Sequence, residues 1–145
     1  MRRRGNVTIE FALSFALLFS VLGGVFQFGY SFYIYNALET VVRDAARYAS
    51  LRAYNSPSST PSSEFLTAVR NMAVYGNPAG GSQAVVPGLT PSHIALTVTF
   101  DRNVPYRVKV AIQNYTVHAV FFSFVLNGKP YAEFRYMGRY APTST

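Results

Sequence analysis

At 145 residues the chain fits one domain, and a composition 50% hydrophobic and 16% aromatic excludes an extended disordered protein. The absence of cysteine excludes a disulfide framework, a thiolate metal site and a cysteine nucleophile. The formal charge is +7, but Arg2, Arg3 and Arg4 supply three of those charges before a long apolar run begins, so the surplus is not an evenly spread polyanion-binding surface.

From Phe11 to Leu38 no residue is charged, and 28 residues at ~1.5 Å rise give roughly 42 Å of helix, more than the ~30 Å hydrocarbon core of a bilayer requires. The run is too long for the ~7 to 15 apolar residues of a cleaved secretory signal. The three arginines before it, with no comparable basic cluster just after, place the N-terminus in the cytoplasm and the remainder across the membrane. Gly23, Gly24 and Gly29 interrupt the span; small residues let another helix approach closely in lipid, although glycine is also simply common there.

The helix is expected to continue into water. Leu38, Val41, Val42, Ala45, Ala46 and Ala49 recur at spacings of three and four, with Glu39, Thr40, Arg43, Asp44 and Arg47 on the other side. Glu39 and Arg43 stand in the favourable i,i+4 order, worth ~0.3 kcal/mol. Residues 6–54 therefore read as one helix, half membrane anchor and half water-exposed spine.

"NSPSSTPSS", residues 55–63, contains no apolar residue and two prolines, and reads as a linker. Ser63 is placed to cap a second helix over Glu64 to Tyr75, with Phe65, Leu66, Val69, Met72 and Ala73 as its apolar stripe and Gly76 as its stop. Four glycines and three prolines between Gly76 and Ser92 then predict an irregular loop.

From His93 the period changes to two. Ile94, Leu96, Val98 and Phe100 form one face of a strand; Tyr106, Val108, Val110 and Ile112 form one face of the next; Tyr131 to Met137 sets Ala132, Phe134 and Tyr136 against Glu133 and Arg135. Short connections predict antiparallel pairing. Ala119 to Leu126 is apolar on both faces and precedes Asn127-Gly128, a strong hairpin signal. It is expected as a covered central strand, the alternative being an exposed patch that meets a partner subunit or the lipid surface. The fold class is α+β: a small antiparallel sheet head, residues 64–145, with one short helix, packed on the long N-terminal helix so that the spine's apolar stripe enlarges a core otherwise marginal at this size.

Chemistry is sparse. His93 and His118 have no cysteine and no carboxylate pair to complete a metal site, and are expected as ordinary strand residues. No nucleophile elbow or phosphate loop is present, so neither catalysis, metal nor cofactor is expected. Toward the C-terminus Arg107, Lys109, Lys129, Arg135 and Arg139, interleaved with tyrosines, could form a surface for an anionic polymer; a solvated strand face is the plainer reading, and nucleic acid is an unlikely partner.

One carboxylate, Glu10, stands at the threshold of the span, where an ionised group in hydrocarbon costs ~2.5 kcal/mol or more and usually has a specific partner. The N-terminal dipole of the helix alone would favour it there. Its neighbours make a more specific pattern: "RRRG", then four residues, then glutamate and a long apolar helix. This resembles the processing site of type IV prepilins and pseudopilins. The resemblance implies cleavage between Gly5 and Asn6 by a prepilin peptidase, removal of three arginines, and a new α-amine at Asn6 that neutralises Glu10 of an adjoining subunit. Within that superfamily, Gly5, Glu10-Phe11-Ala12, Phe28-Gly29 and Ala45-Ala46-Arg47-Tyr48-Ala49 are similar to the landmarks of the TadE-like family, minor pilins or pseudopilins of the bacterial tight-adherence (Tad, Flp-type) pilus. The match covers about the first third of the chain.

What the resemblance implies is a structural part, not an enzyme: a single-pass protein of the bacterial inner membrane, its head extracytoplasmic, its residues 1–5 a leader, and Glu10 and Phe11 engaged in assembly. Its implied partners are the membrane, other pilin or pseudopilin subunits, the prepilin peptidase and the inner-membrane assembly platform, with incorporation into a surface pilus as the further step. The competing expectation is a permanently anchored envelope protein whose basic, tyrosine-rich head holds an anionic polymer or protein.

Overall fold

The computed structural model describes residues 3–142, with side chains from Val7 onward. Met1, Arg2 and residues 143–145, the ends of the expected leader and head, lie outside the described residues. Helix α1 runs unbroken over Arg3–Leu51, 49 residues, ending three residues before Tyr54. Its C-terminal half buries Leu38, Val41, Val42, Ala45, Ala46 and Ala49, the stripe that the three-and-four spacing specifies, together with Ile34. Glu39 and Arg43 meet at 2.7 Å on the opposite, exposed side.

Helix α2, Ser63–Tyr75, is capped one residue earlier than expected, by Ser62, whose Oγ accepts from the Phe65 N–H. Gly76, at φ 68°, supplies the left-handed stop and donates its N–H to the Met72 carbonyl at 3.0 Å. Phe65, Val69, Ala73 and Val74 face α1 and the sheet.

A short 3₁₀ turn, Pro91–His93, leads into β1 (Ile94–Asp101), which pairs antiparallel with β2 (Val104–Ile112). The strand β5 (Tyr131–Arg135) lies antiparallel on the other side of β2, giving the order β1-β2-β5. Ile94, Val98, Val108, Val110 and Ile112 point into the core against α1 and α2. Tyr106 departs from its expected inward position. A register shift between Thr99 and Phe100 pairs Phe100 with Pro105, so Pro105 is buried and Tyr106 is exposed beside Arg107.

The greater correction concerns Ala119 to Leu126. It is not a covered central strand, and Asn127-Gly128 does not close a hairpin between it and β5. Only Ser123–Leu126 is extended, as β4, and it pairs back onto β3 (Tyr115–His118) in a separate two-stranded ribbon. The physical reason lies at the end of β2. The Ile112 carbonyl accepts from the Gly128 N–H at 2.8 Å and its N–H donates to the Pro130 carbonyl at 3.0 Å, so residues 127–130 carry the chain past β2 into β5. The ribbon is therefore an excursion leaving the main sheet after Ile112. Phe124 and Leu126 pack on the core while Val120, Phe121, Phe122 and Val125 are exposed.

Candidate functional site

Among the described residues one helix, Val7–Leu51, is long and apolar enough to cross a membrane, with a mean hydropathy of 2.1 over its most apolar window. Only 6% of that window is buried within the chain, unlike the core helix of a water-soluble fold. Glu10 and Phe11 lie on the exposed helix surface. Phe11, Phe15 and Phe19, four residues apart, stack in a row with ring centroids 6.2 and 6.1 Å apart. The proposed cleavage point, Gly5 and Asn6, falls within the helical backbone.

The same row of i,i+4 positions continues through Gly23 and Gln27, and there the chain meets itself. A Cβ at Gly23 would lie 2.5 Å from Cε2 of Phe121, so the ring occupies the place a side chain at residue 23 would take. One turn further, the Gln27 side chain is buried, 1% exposed, and its amide reads two main-chain groups of the β3–β4 loop. Its Oε1 accepts from the Phe121 N–H at 2.8 Å and its Nε2 donates to the Phe122 carbonyl at 3.1 Å. Gly23 thus packs against the chain's own ribbon, whereas nothing lies within 4 Å of the Cβ positions of Gly24 and Gly29. Gln27 was not singled out in the sequence. Its signal was a lone carboxamide within a run of apolar and small residues, conspicuous only once something is known to face it.

On the outer face of the main sheet, β2 and β5 bring Arg107, Lys109 and Arg135 together. Their register places Arg107 opposite Arg135 and Lys109 opposite Glu133. Lys109 Nζ sits 4.3 Å from the Tyr131 ring centroid, and the guanidinium carbons of Arg107 and Arg135 sit 5.2 and 5.8 Å from that of Tyr106. Arg107 also donates to Glu133 at 3.1 Å, a bond that pushes its guanidinium pKa still higher, with Tyr106 adding to the effect. Lys129 and Arg139 do not join this face. Lys129 lines a recess with Tyr35, Glu39 and Tyr131, and Arg139 lies in the segment whose carbonyl accepts from the Tyr54 N–H.

His93 and His118, distant in sequence, line one open pocket of about 450 Å³ with Tyr30 and Tyr115. His93 closes the 3₁₀ turn and exchanges hydrogen bonds with Thr90; His118 ends β3 and bonds Ser123 at 3.1 Å. Among the described residues no group of three or more histidines, cysteines and carboxylates could hold a metal ion.

Residues 5–47 match the family described as TadE-like protein. No curated protein and no solved structure matches the chain. The matched stretch runs from Gly5 through the exposed apolar span to Arg47 in the spine, and excludes the sheet. Over that helix the chain is similar to TadE-like proteins, a likeness that suggests an association with the tight-adherence pilus.

Proposed function

We propose that the protein is a minor pilin or pseudopilin, a membrane-anchored structural subunit in assembly of a Tad (Flp-type) pilus. The observation that carries this reading is one continuous helix, Arg3–Leu51, whose apolar half is exposed apart from the place where the head's own loop sits on Gly23 and Gln27, and whose other half carries a folded head. Such a part anchors by one end and presents the head at the other.

In this reading the prepilin peptidase cuts between Gly5 and Asn6, leaving the N-terminus at the cytoplasmic face of the inner membrane and the head outside. The freed amine of Asn6 then pairs with Glu10 of the adjoining subunit. The pairing compensates desolvation only when helices join in the correct register, so charge selects alignment and lipid-facing side chains supply contact. Phe11, directly after Glu10, begins the stacked row of Phe11, Phe15 and Phe19, a ridge suited to a neighbouring helix. The inner-membrane assembly platform would lift the subunit toward the surface pilus.

The direct test is the intact mass of the protein recovered from membranes. In a peptidase-competent cell the mature chain should begin at Asn6, and in a peptidase-deficient one at Met1 or Arg2. A Met1 or Arg2 start in both cells would remove the pilin reading and leave a permanent anchor.

A second reading is favoured by one observation, the outward face on which Lys109 stacks on Tyr131 while Arg107 and Arg135 flank Tyr106. Cations braced on aromatic rings, with Glu133 as the one carboxylate among them, suit an anionic polymer. This function is compatible with the first, the head being the ligand-binding part of an assembled subunit.

A further inference from the structure

The loop between β3 and β4 leaves its largest apolar side chains uncovered: Val120 is 65% exposed, Phe121 59% and Phe122 53%. A soluble surface rarely presents three such residues in succession. Their position on α1 identifies what covers them. Tyr30 and Tyr33, both exposed, and Tyr35 form an aromatic band on α1 of the kind found at a membrane–water boundary. Gln27 and Gly23 lie three and seven residues closer to the cytoplasmic end, ~5 and ~10 Å deeper at helical rise. The tip seated on them is therefore held below that band, beside the exposed Leu22, Val25 and Phe26 of the span.

We infer that the β3–β4 tip, Val120, Phe121 and Phe122, is a second membrane contact that enters the outer leaflet of the bilayer alongside the spanning helix. Irregular backbone is tolerated at such depth only where its polar groups find protein partners. The Gln27 carboxamide supplies two of them, accepting from the Phe121 N–H and donating to the Phe122 carbonyl. His118 and Ser123, paired across the base of the loop at 3.1 Å, close it above. The expected immersion, ~5 to 10 Å, matches that of interfacial apolar elements. A hydrophobic tip at that depth, fastened to the helix, fixes the height and rotation of the head over the membrane. The inference requires that α1 spans a bilayer and is independent of leader cleavage and of any pilus.

The chain contains no tryptophan, so a single introduced indole reports its own surroundings. Full-length F122W, and separately T99W on the distal end of β1, would be reconstituted into phosphatidylethanolamine–phosphatidylglycerol vesicles doped with lipids brominated near the top of the acyl chains. Indole at 122 should emit at shorter wavelength, resist aqueous iodide, and be quenched by the brominated lipids at least about twofold more than indole at 99. Q27L, which keeps the span apolar but deletes both hydrogen bonds, should bring the lipid quenching at 122 down toward that at 99 while the far-ultraviolet circular dichroism is retained. V120W repeats the measurement should F122W fail to fold. Iodide access at 122 equal to that at 99 overturns the inference, as does protection from both quenchers, which would mean that a second copy covers the tip. Unchanged lipid quenching in Q27L would overturn the role given to Gln27.

Discussion

The hydroxyl of Tyr136, one residue beyond β5, donates to the main-chain carbonyl of Arg52, one residue beyond α1, at 2.8 Å. Neighbouring bonds extend this stitch. The Met137 N–H donates to the Ser50 carbonyl at 2.9 Å, the Tyr54 N–H to the Arg139 carbonyl at 2.9 Å, and the Ala141 N–H to the Tyr54 carbonyl at 3.0 Å. The last carbonyls of a helix have no intrahelical donors, and here the C-terminal segment of the head satisfies that of Ser50 and that of Arg52 just past the helix end. The head is thereby clamped to the C-terminal end of its own long helix.

Removing one of those bonds should loosen the clamp measurably. Tyr136→Phe keeps the ring in the core and deletes only the hydroxyl, for an expected loss of ~1 kcal/mol. Tyr131→Phe, at an exposed ring, should change stability by less than about 0.5 kcal/mol. Thermal unfolding of the full-length protein in detergent, followed by tyrosine circular dichroism, compares the two. Equal effects would mean that the Tyr136 hydroxyl, set between the Arg52 carbonyl at 2.8 Å and the Arg139 carbonyl at 2.9 Å, contributes nothing net.

Alkaline conditions should weaken the head through the same ring cluster. Burial is the leading cause that pushes the phenols of Tyr54, Tyr115 and Tyr136 above their ordinary value. In the unfolded chain these phenols ionise near pH ~10, and in the folded chain at higher pH. Between those limits the unfolded state holds fewer protons, so stability falls as pH rises. The contribution is complete below pH ~10 and is lost as pH climbs through the folded values. Tyr54→Phe, which gives up the donated bond to the Ser58 carbonyl at 2.7 Å, should flatten the decline in melting temperature between about pH 9 and about pH 11 relative to the parent. A parallel decline in both proteins would show that Tyr54 titrates alike in the two states.

Both helices, the stripe of α1 and β1, β2 and β5 were legible because each buries one face along a regular period; on α2, Phe65, Val69 and Ala73 are buried as expected, but Ala68 and Val74 take the core places expected of Leu66 and Met72, which stay half-buried. Leu38 to Ala49 on α1 and Ala132, Phe134 and Tyr136 near the C-terminus needed nothing beyond spacing. The β3–β4 ribbon was not legible, because its pairing is decided elsewhere. Asn127-Gly128 carries a hairpin signal, yet Gly128 spends its N–H on Ile112, sixteen positions earlier, a choice no local window contains. "AVFFSFVL" is apolar on both faces, which a burial pattern reads as covered protein. Gln27 was missed for the matching reason, since a single amide in an apolar run acquires meaning only from the loop that reaches it. The basic face was half legible: alternation puts Arg107, Lys109 and Arg135 on one side, but Lys129 and Arg139 lie outside the strands and alternation does not govern them.

The outward sheet face offers a test of the second functional reading. If Arg107, Lys109 and Arg135 hold an anionic polymer, the double reversal Lys109→Glu and Arg135→Glu should abolish retention on a sulfated-polysaccharide column at low ionic strength. The parent should elute with added salt as its charge contacts are screened. Both substitutions lie on the solvent side of β2 and β5, so the melting temperature should stay within a few degrees. Retention by both proteins alike would remove this face as the binding surface.

Substitution at Glu10 tests assembly apart from anchoring. Glu10→Gln preserves shape and removes the charge, and since an ionised side chain in hydrocarbon is costly, the variant should insert into membranes at least as well as the parent. Under the proposed function it should nevertheless lose its match with the Asn6 amine of the next subunit. Its content in sheared surface filaments should fall by about tenfold, the factor that ~1.4 kcal/mol of lost pairing produces, while leader removal continues. Glu10→Asp, which retains the charge on a shorter arm, should recover part of that incorporation. The measurement is the ratio of filament-bound to membrane-bound protein by quantitative immunoblot in cells carrying each variant. Full incorporation of the glutamine variant would show that the carboxylate takes no part in joining subunits, and the alignment of helices would then have to come from side-chain packing alone.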